Sequence, residues 1–576
     1  MPHFLRHFFE IKAVNFLMKY LLIYLPLLMV FSCKKTDTTN PVNPPPPPGV
    51  TENFSYVSTS INGVAILPFK NINVSPAVKI KFSVPVSRTS AAQKVSLTNV
   101  NGATIAASLN FDNSDSSILI SPQSPLLFLS RYKIKIDAGL LSAKNTSLNS
   151  GNETGFYTSL DSSRKFAAIS DNALLDLVQQ QTLKYFYEFG HPVSGLARER
   201  NTSGDLVTSG GSGFGVMAMI TGVSRNFITR SQGLSRIQTM VGFLRNTAQT
   251  FHGAYPHWLN GATGAVIPFS PNDNGADLVE TAFLAEGLIC ARQYFNGTDV
   301  SETALRADIN FIINRIEWDW FRQGSQNVLT WHWSPNFGFA INQQIKGWNE
   351  TLMTYVFAKS SLTHSIPTSV YTNGWASNGT APFTNGNTYF GLQLPLGPNL
   401  GGPLFFEHYS FLGINPTGLT DAYANYATQT KNHTLINYNY CKSNPQNYYG
   451  YSDSCWGLTA SDIPNGGYTA SSPTNDVGVI APTAALASFP YTPTESMKAL
   501  KFFYYVLGDK IWKQYGFVDA FKLEDPWFAD SFLAIDQGPI IVNIENYRSG
   551  LMWNLFTSAP EVKSAMLALG FTAPYL

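Results

Sequence analysis

Asp171-Asn-Ala-Leu174-Leu-Asp-Leu177-Val178-Gln-Gln-Gln-Thr-Leu-Lys-Tyr185-Phe-Tyr-Glu-Phe-Gly190 decides the architecture of most of this chain. Leu174, Leu177, Val178 and Tyr185 share one face at helical spacing, which a strand's period of two does not produce. Asp171 reads as the cap, because its side-chain oxygen can accept from first-turn amides, and Gly190 reads as the stop. Similar runs recur at 237–249, 278–295, 302–315, 350–361 and 496–507, separated by long loops rich in Gly, Asn, Trp and Tyr. At about 35 residues per helix and loop, residues 165–576 hold about twelve helices. The expectation is one large, mainly α domain, an (α/α)6 toroid with its loops gathered into a cleft at one end.

Toward the N-terminus the period changes to two. Val78-Lys-Ile80-Lys-Phe82-Ser-Val84 and Tyr132-Lys-Ile134-Lys-Ile136 alternate apolar and polar, as half-buried strands do, with turn residues such as Asn99-Val-Asn101-Gly102 between them. The stretch Ser75-Pro76 through Phe82-Ser-Val-Pro85-Val86 resembles bacterial Ig-like domains. Residues 54–160 are therefore expected to form a small Ig-like β-sandwich, serving as a spacer or docking module. Residues 33–53 read as a Pro-rich linker, because Pro44 to Pro48 is an unbroken proline run that stays extended. Residues 1–32 read as a signal peptide of lipoprotein type: Met18-Lys19 is the basic start, Tyr20 to Phe31 the apolar run, and Ser32-Cys33 the close. Cys33 is the expected lipidation site. An exported lipoprotein follows, in the periplasm or on the outer membrane and anchored to a membrane at Cys33.

The chain has 576 residues, a formal net charge of +1, 13% charged residues and 14% aromatic ones. A nucleic-acid partner is not expected, since there is no basic surplus to displace counterions from phosphates. Enough Trp and Tyr remain to bind something uncharged. Beyond Cys33 there are Cys290, Cys441 and Cys455, too few for a disulfide scaffold. Cys441 and Cys455 can either bridge or stay free. Nine histidines show no metal-ligand spacing, and Gly210-Gly-Ser-Gly-Phe-Gly215 lacks the strand and Lys of a phosphate loop. No metal and no cofactor are expected, and the protein is expected to act as a monomer.

Three clusters carry candidate chemistry. In Asp273-Asn-Gly-Ala-Asp277-Leu-Val-Glu280, Asp277 and Glu280 fall on one helical face with Asp273 just upstream. Crowded carboxylates raise at least one pKa, as a general acid requires, or else they complement a helix dipole. Thr330-Trp331-His332-Trp333 and Lys346-Gly-Trp348-Asn-Glu350 set indoles beside polar groups. That is the lining a sugar ring calls for, with core packing as the alternative. Asp536-Gln537, read as a turn, and Glu545-Asn-Tyr-Arg548 can hold hydroxyls; alternatively, Glu545 and Arg548 form an ion pair bracing the last helices.

Seven blocks stand in fixed order: 213–215, 277–282, 347–350, 402–406, 515–521, 534–539 and 544–551. Together they resemble the glucoamylase-like domain of glycoside hydrolase family 144, over essentially all of 165–576. The resemblance implies an (α/α)6 toroid and anomer-inverting hydrolysis of β-1,2-glucan, internally or as sophorose from chain ends. It also implies that Asp273, Asp277, Glu280 and Glu350 are the acids that matter for activity. Inversion needs an acid and a base roughly 6.5–9.5 Å apart. Asp277 and Glu280, one turn apart, do not suit each other, so Glu350 is the expected opposite partner of one of them. Trp331, Trp333, Trp348, His408, Asp536, Gln537 and Arg548 are assigned to sugar contacts. Glu407 stands where relatives carry a small residue. A glycan-binding lipoprotein without turnover is the alternative from another class.

Overall fold

The computed structural model describes residues 52–576. The expected signal peptide, Cys33 and nearly all of the Pro-rich linker lie outside the described residues. Two compact units are present, one ending at Ser159 and one spanning Leu160–Leu576.

The first unit is a β-sandwich. Its strands are β1 (Tyr56–Ile61), β2 (Phe69–Ile72), β3 (Val78–Phe82), β4 (Val95–Asn99), β5 (Thr104–Ile105), β6 (Ala107–Asp112), β7 (Ser117–Pro122), β8 (Arg131–Ile136) and β9 (Asn152–Thr158). They form one sheet in the order β1-β3-β7-β6 and a second in the order β2-β9-β8-β4-β5. Period-two burial is plain in β3 and β8, where Val78, Ile80 and Phe82, and Tyr132, Ile134 and Ile136, turn inward. With Ile118, Ile120 and Phe156 these residues fill one core. A short helix, α1 (Arg88–Lys94), capped by Ser87, links the two sheets between β3 and β4.

In the second unit the long helices are α2 (Asp171–Tyr187), α3 (Ser209–Ser224), α4 (Arg230–Asn246), α5 (Leu278–Tyr294), α6 (Val300–Asn314) and α7 (Leu352–Ser360). After the short α8 (Thr368–Val370) and α9 (Phe405–His408) come α10 (Tyr426–Ser443), α11 (Pro482–Leu486), α12 (Pro493–Tyr505), α13 (Gly508–Ile511), α14 (Ala534–Ser549), α15 (Leu551–Ser558) and α16 (Pro560–Ala568). Two kinds alternate. Helices α3, α5, α7, α11 and α14 are buried nearly all round, whereas α2, α4, α6 and α12 bury one face. The first kind makes a central layer: α3 lies against α5 and α14, and α5 against α7. At the α3–α5 crossing Gly213 and Gly287 meet. A Cβ on Gly213 would sit 2.1 Å from the Phe283 carbonyl oxygen, and one on Gly287 2.1 Å from that of Gly213.

Several local expectations are corrected. Ser170, not Asp171, caps α2, its Oγ accepting from the Ala173 N–H at 3.2 Å; Asp171 is the first helical residue and complements the dipole there. Helix α4 begins ahead of its apolar run because Thr229 and Gln232 close a capping box. Asp536 and Gln537 lie in the first turn of α14 rather than in a loop turn. Cys290, Cys441 and Cys455 are buried free thiols, so Cys441 and Cys455 do not bridge.

Candidate active site

Asp277 organises the site. It closes a two-residue strand, β13 if numbered after β10 (Leu206–Thr208), β11 (Trp258–Asn260) and β12 (Val266–Ile267), and is at once the N-cap of α5. Its Oδ1 accepts from the N–H groups of Val279 and Glu280 at 3.0 and 2.9 Å and from Trp331 Nε1 at 2.9 Å. Oδ2 faces His257 Nδ1 at 3.0 Å and His332 Nε2 at 3.6 Å. Full burial would raise this carboxyl, but the hydrogen bond and charge of His257 and the helix amide hold it below its usual value. His257 is itself raised to about 9, because Glu280, Asp277 and Asp273 together outweigh its own desolvation. His332, with a buried unpartnered Nδ1, is pushed down to about 4 by burial and stays neutral. One carboxylate thus holds a charged and an uncharged imidazole.

Around it stand three acids displaced the other way. Asp273, bridged to Ser270 in the turn before α5, is raised to about 7 by burial and by the charge of Asp277. Glu280, one turn into α5, is raised by burial although its Oε2 accepts from Gly210 N–H at 2.8 Å and Thr208 Oγ1 at 3.2 Å. Glu350 sits in the turn preceding α7 and is raised to about 7, by burial and then by Glu280 and Asp277. The four expected acids therefore come from three segments, and the charges of Asp277 and Glu280 act on both Asp273 and Glu350.

Part-exposed aromatics border these acids. Trp331 and Trp333 flank His332, and the strand His332–Trp333 pairs with Ala276-Asp277. Trp333 meets His252, which stacks on Trp320 at 3.9 Å. On the other side His257, Trp258 and the half-exposed Phe269 pack together. Trp258, Phe269, His257, Trp320 and His252 were not singled out in the sequence, since they come from three separate segments and no spacing pattern links them to the acids.

Three expected sugar contacts are placed elsewhere. Trp348 is 4% exposed and packs among Trp375, Phe411 and Tyr426, so it is a core residue. His408 is buried, hydrogen-bonded to Ser488 Oγ at 3.0 Å, and pushed down to about 3 by desolvation. Arg548 bonds Asp176 and the Gln179 side chain, both at 2.6 Å, and so ties α14 to α2. Twelve residues of helix separate it from Asp536, about 18 Å at 1.5 Å per residue. Glu545 pairs with Arg225 rather than with Arg548. Asp536 and Gln537 are buried; Gln537 Nε2 donates to the Phe517 carbonyl at 2.9 Å. Glu407 is likewise buried, paired with His433 at 3.2 Å beneath the surface.

A glucoamylase family model (Glycoamylase) matches residues 342–560, and a bacterial Ig-like domain model matches residues 67–158. The chain is 44% identical over 419 residues to an exo β-1,2-glucooligosaccharide sophorohydrolase (non-reducing end) of Parabacteroides distasonis, covering 69% of this chain. It spans 58% of that curated relative's length. The endo-β-1,2-glucanase of Chitinophaga pinensis, solved with sophorotriose and glucose, is 47% identical at a TM-score of 0.69, covering 71% of this chain and 100% of that one. A β-1,2-glucanase structure from Parabacteroides distasonis is 35% identical at a TM-score of 0.68, covering 90% of this chain and 72% of that one. With full coverage of the Chitinophaga relative at that identity, the chain belongs to the glucoamylase-like family in which these relatives stand, with an Ig-like domain ahead of its helical unit.

Proposed function

We propose that this protein hydrolyses linear β-1,2-glucan internally, by single displacement with inversion, on an (α/α)6 toroid. The alternation of buried and one-faced helices supports the toroid. One arrangement carries the chemistry: Glu350 and Asp273, buried acids from different segments, are both raised to about 7 by burial and by neighbouring carboxylates, beside an Asp277 held below its usual value. Glu350, protonated, delivers its proton to the departing glucosyl oxygen. Asp273, ionised, takes a proton from the attacking water. Asp277 spends its lone pairs on amides, an indole and an imidazole, and so positions His257, Trp331 and His332 rather than acting as a base. Trp331, Trp333 and the ring pairs beside them offer apolar faces to sugar C–H groups.

Full coverage of the Chitinophaga endo enzyme favours internal cleavage. The 44% identity to the sophorohydrolase favours release of sophorose from the non-reducing end as the second reading. Product analysis on linear β-1,2-glucan, with Glu350→Gln as control, separates them. An early ladder of α-anomeric oligosaccharides is the expected result. Sophorose alone from the outset establishes the exo reading, and glucan retained without product establishes a binding protein. The leader and Ser32-Cys33 support an exported protein lipid-anchored at Cys33. Palmitate labelling of cells, lost in Cys33→Ala, is the corresponding check.

A further inference from the structure

A second cluster of acids lies apart from Asp277. Asp519, in the loop after α13, accepts the Asp462 N–H on Oδ2 at 2.7 Å. Asp462 is held in turn by Arg200 Nη1 at 3.2 Å and Ser531 Oγ at 2.6 Å, while Arg200 also grips Glu199 at 2.9 Å. Asp519 and Asp536 are 1% and 2% exposed and lie within hydrogen-bonding reach of each other. The oxygens without a donor are Asp519 Oδ1 and Asp536 Oδ2, one on each carboxyl group. Two buried anions this close repel with no solvent to screen them, and two orphaned acceptors cannot satisfy each other. A single proton between them resolves both problems.

We propose that Asp519 and Asp536 share one proton, and that Asp519 is the positioning residue that keeps it on Asp536. The fixed amide of Asp462 favours the ionised form of Asp519, whereas the buried Oδ2 of Asp536 has no donor. Desolvation and the charge of Asp462 set the Asp519 carboxyl to about 7, and burial with the charge of Asp519 carries Asp536 well above its usual range. Arg200 opposes both shifts, and the Tyr409 and Tyr468 hydroxyls complete the groups facing Asp536. Tyr409 also feels Glu350 and Glu280, so it stands between the two acid clusters. The neutral Asp536 is thereby a standing hydrogen-bond donor one tyrosine away from Glu350.

The test is the pH dependence of kcat on β-1,2-glucan, and it rests on the proposed activity. In Asp519→Asn the neighbouring negative charge is gone, so Asp536 gives up its proton at lower pH and the alkaline limb of the profile moves toward lower pH with KM unchanged. A profile superimposable on that of the wild type, whatever the loss of rate, overturns the proposal. Asp462→Asn keeps the main-chain donor but removes the charge facing Asp519. It gives a smaller shift in the same direction, and decides the matter if Asp519→Asn does not fold. Should the wild type release no product, the activity reading fails but the shared proton is still measurable. The unfolded chain ionises both acids above about pH 4, whereas the folded pair keeps its proton, so wild-type stability falls between pH 5 and 8. The unfolding temperature of Asp519→Asn falls less over that interval; an equal fall overturns the proposal.

Discussion

Asp277 accepts from two amides, an indole and an imidazole, and its removal strands all of them at once. Asp277→Ala leaves a charged His257 without its carboxylate, a loss of about 3–5 kcal/mol, read as a shift in the denaturant midpoint with unchanged slope. Glu350→Gln removes only a proton donor. There the expected loss is about 10²–10⁴-fold in kcat with the unfolding temperature preserved. The pH profile follows from the same residues. Activity needs Asp273 ionised, so it falls below pH 7; it needs Glu350 protonated, so it falls above pH 7. A narrow bell centred near neutrality is the outcome for kcat/KM, and a flat plateau from pH 5 to 9 contradicts the assignment. All four acids were legible in the sequence, because three crowd into eight positions and the fourth follows a tryptophan. His257 and Asp519 were not, since their partners lie 20 and 57 residues away and contact at that range leaves no spacing pattern.

Among the elements, α3 and α5 are seamed by Gly213 and Gly287, and that closeness lets the Gly210 amide at the start of one helix reach Glu280 on the other. Gly213→Ala forces its methyl onto the Phe283 carbonyl, where backbone must move. The expected cost exceeds about 1–3 kcal/mol, the usual penalty for overpacking, and thermal unfolding measures it. Helical periodicity in the sequence located α2, α5, α6 and α12 to within a few residues. Residue type placed Trp348, His408 and Arg548 at the sugar, because it cannot distinguish a ring or a cation facing solvent from one closed inside a helical layer. Capping misled for a similar reason: Ser170 and Asp171 are both acceptable caps, and only backbone geometry chooses between them.

At the scale of the whole molecule the chain divides at Ser159 and Leu160, and each unit has its own core. A chain beginning at Leu160 is expected to fold and to keep its kcat on soluble sophoro-oligosaccharides within about twofold. Loss of cooperative unfolding in that fragment, seen by calorimetry, contradicts the division. The glycine seam has a further consequence for anyone redirecting such an enzyme to another glycosidic linkage. The half-exposed Trp320 and Phe269, which lie outside the paired strands, can be varied widely. Any library that admits a side chain at Gly210, Gly213 or Gly287 discards the spacing between two helix ends on which Glu280 depends, and most of its members will be lost before selection begins.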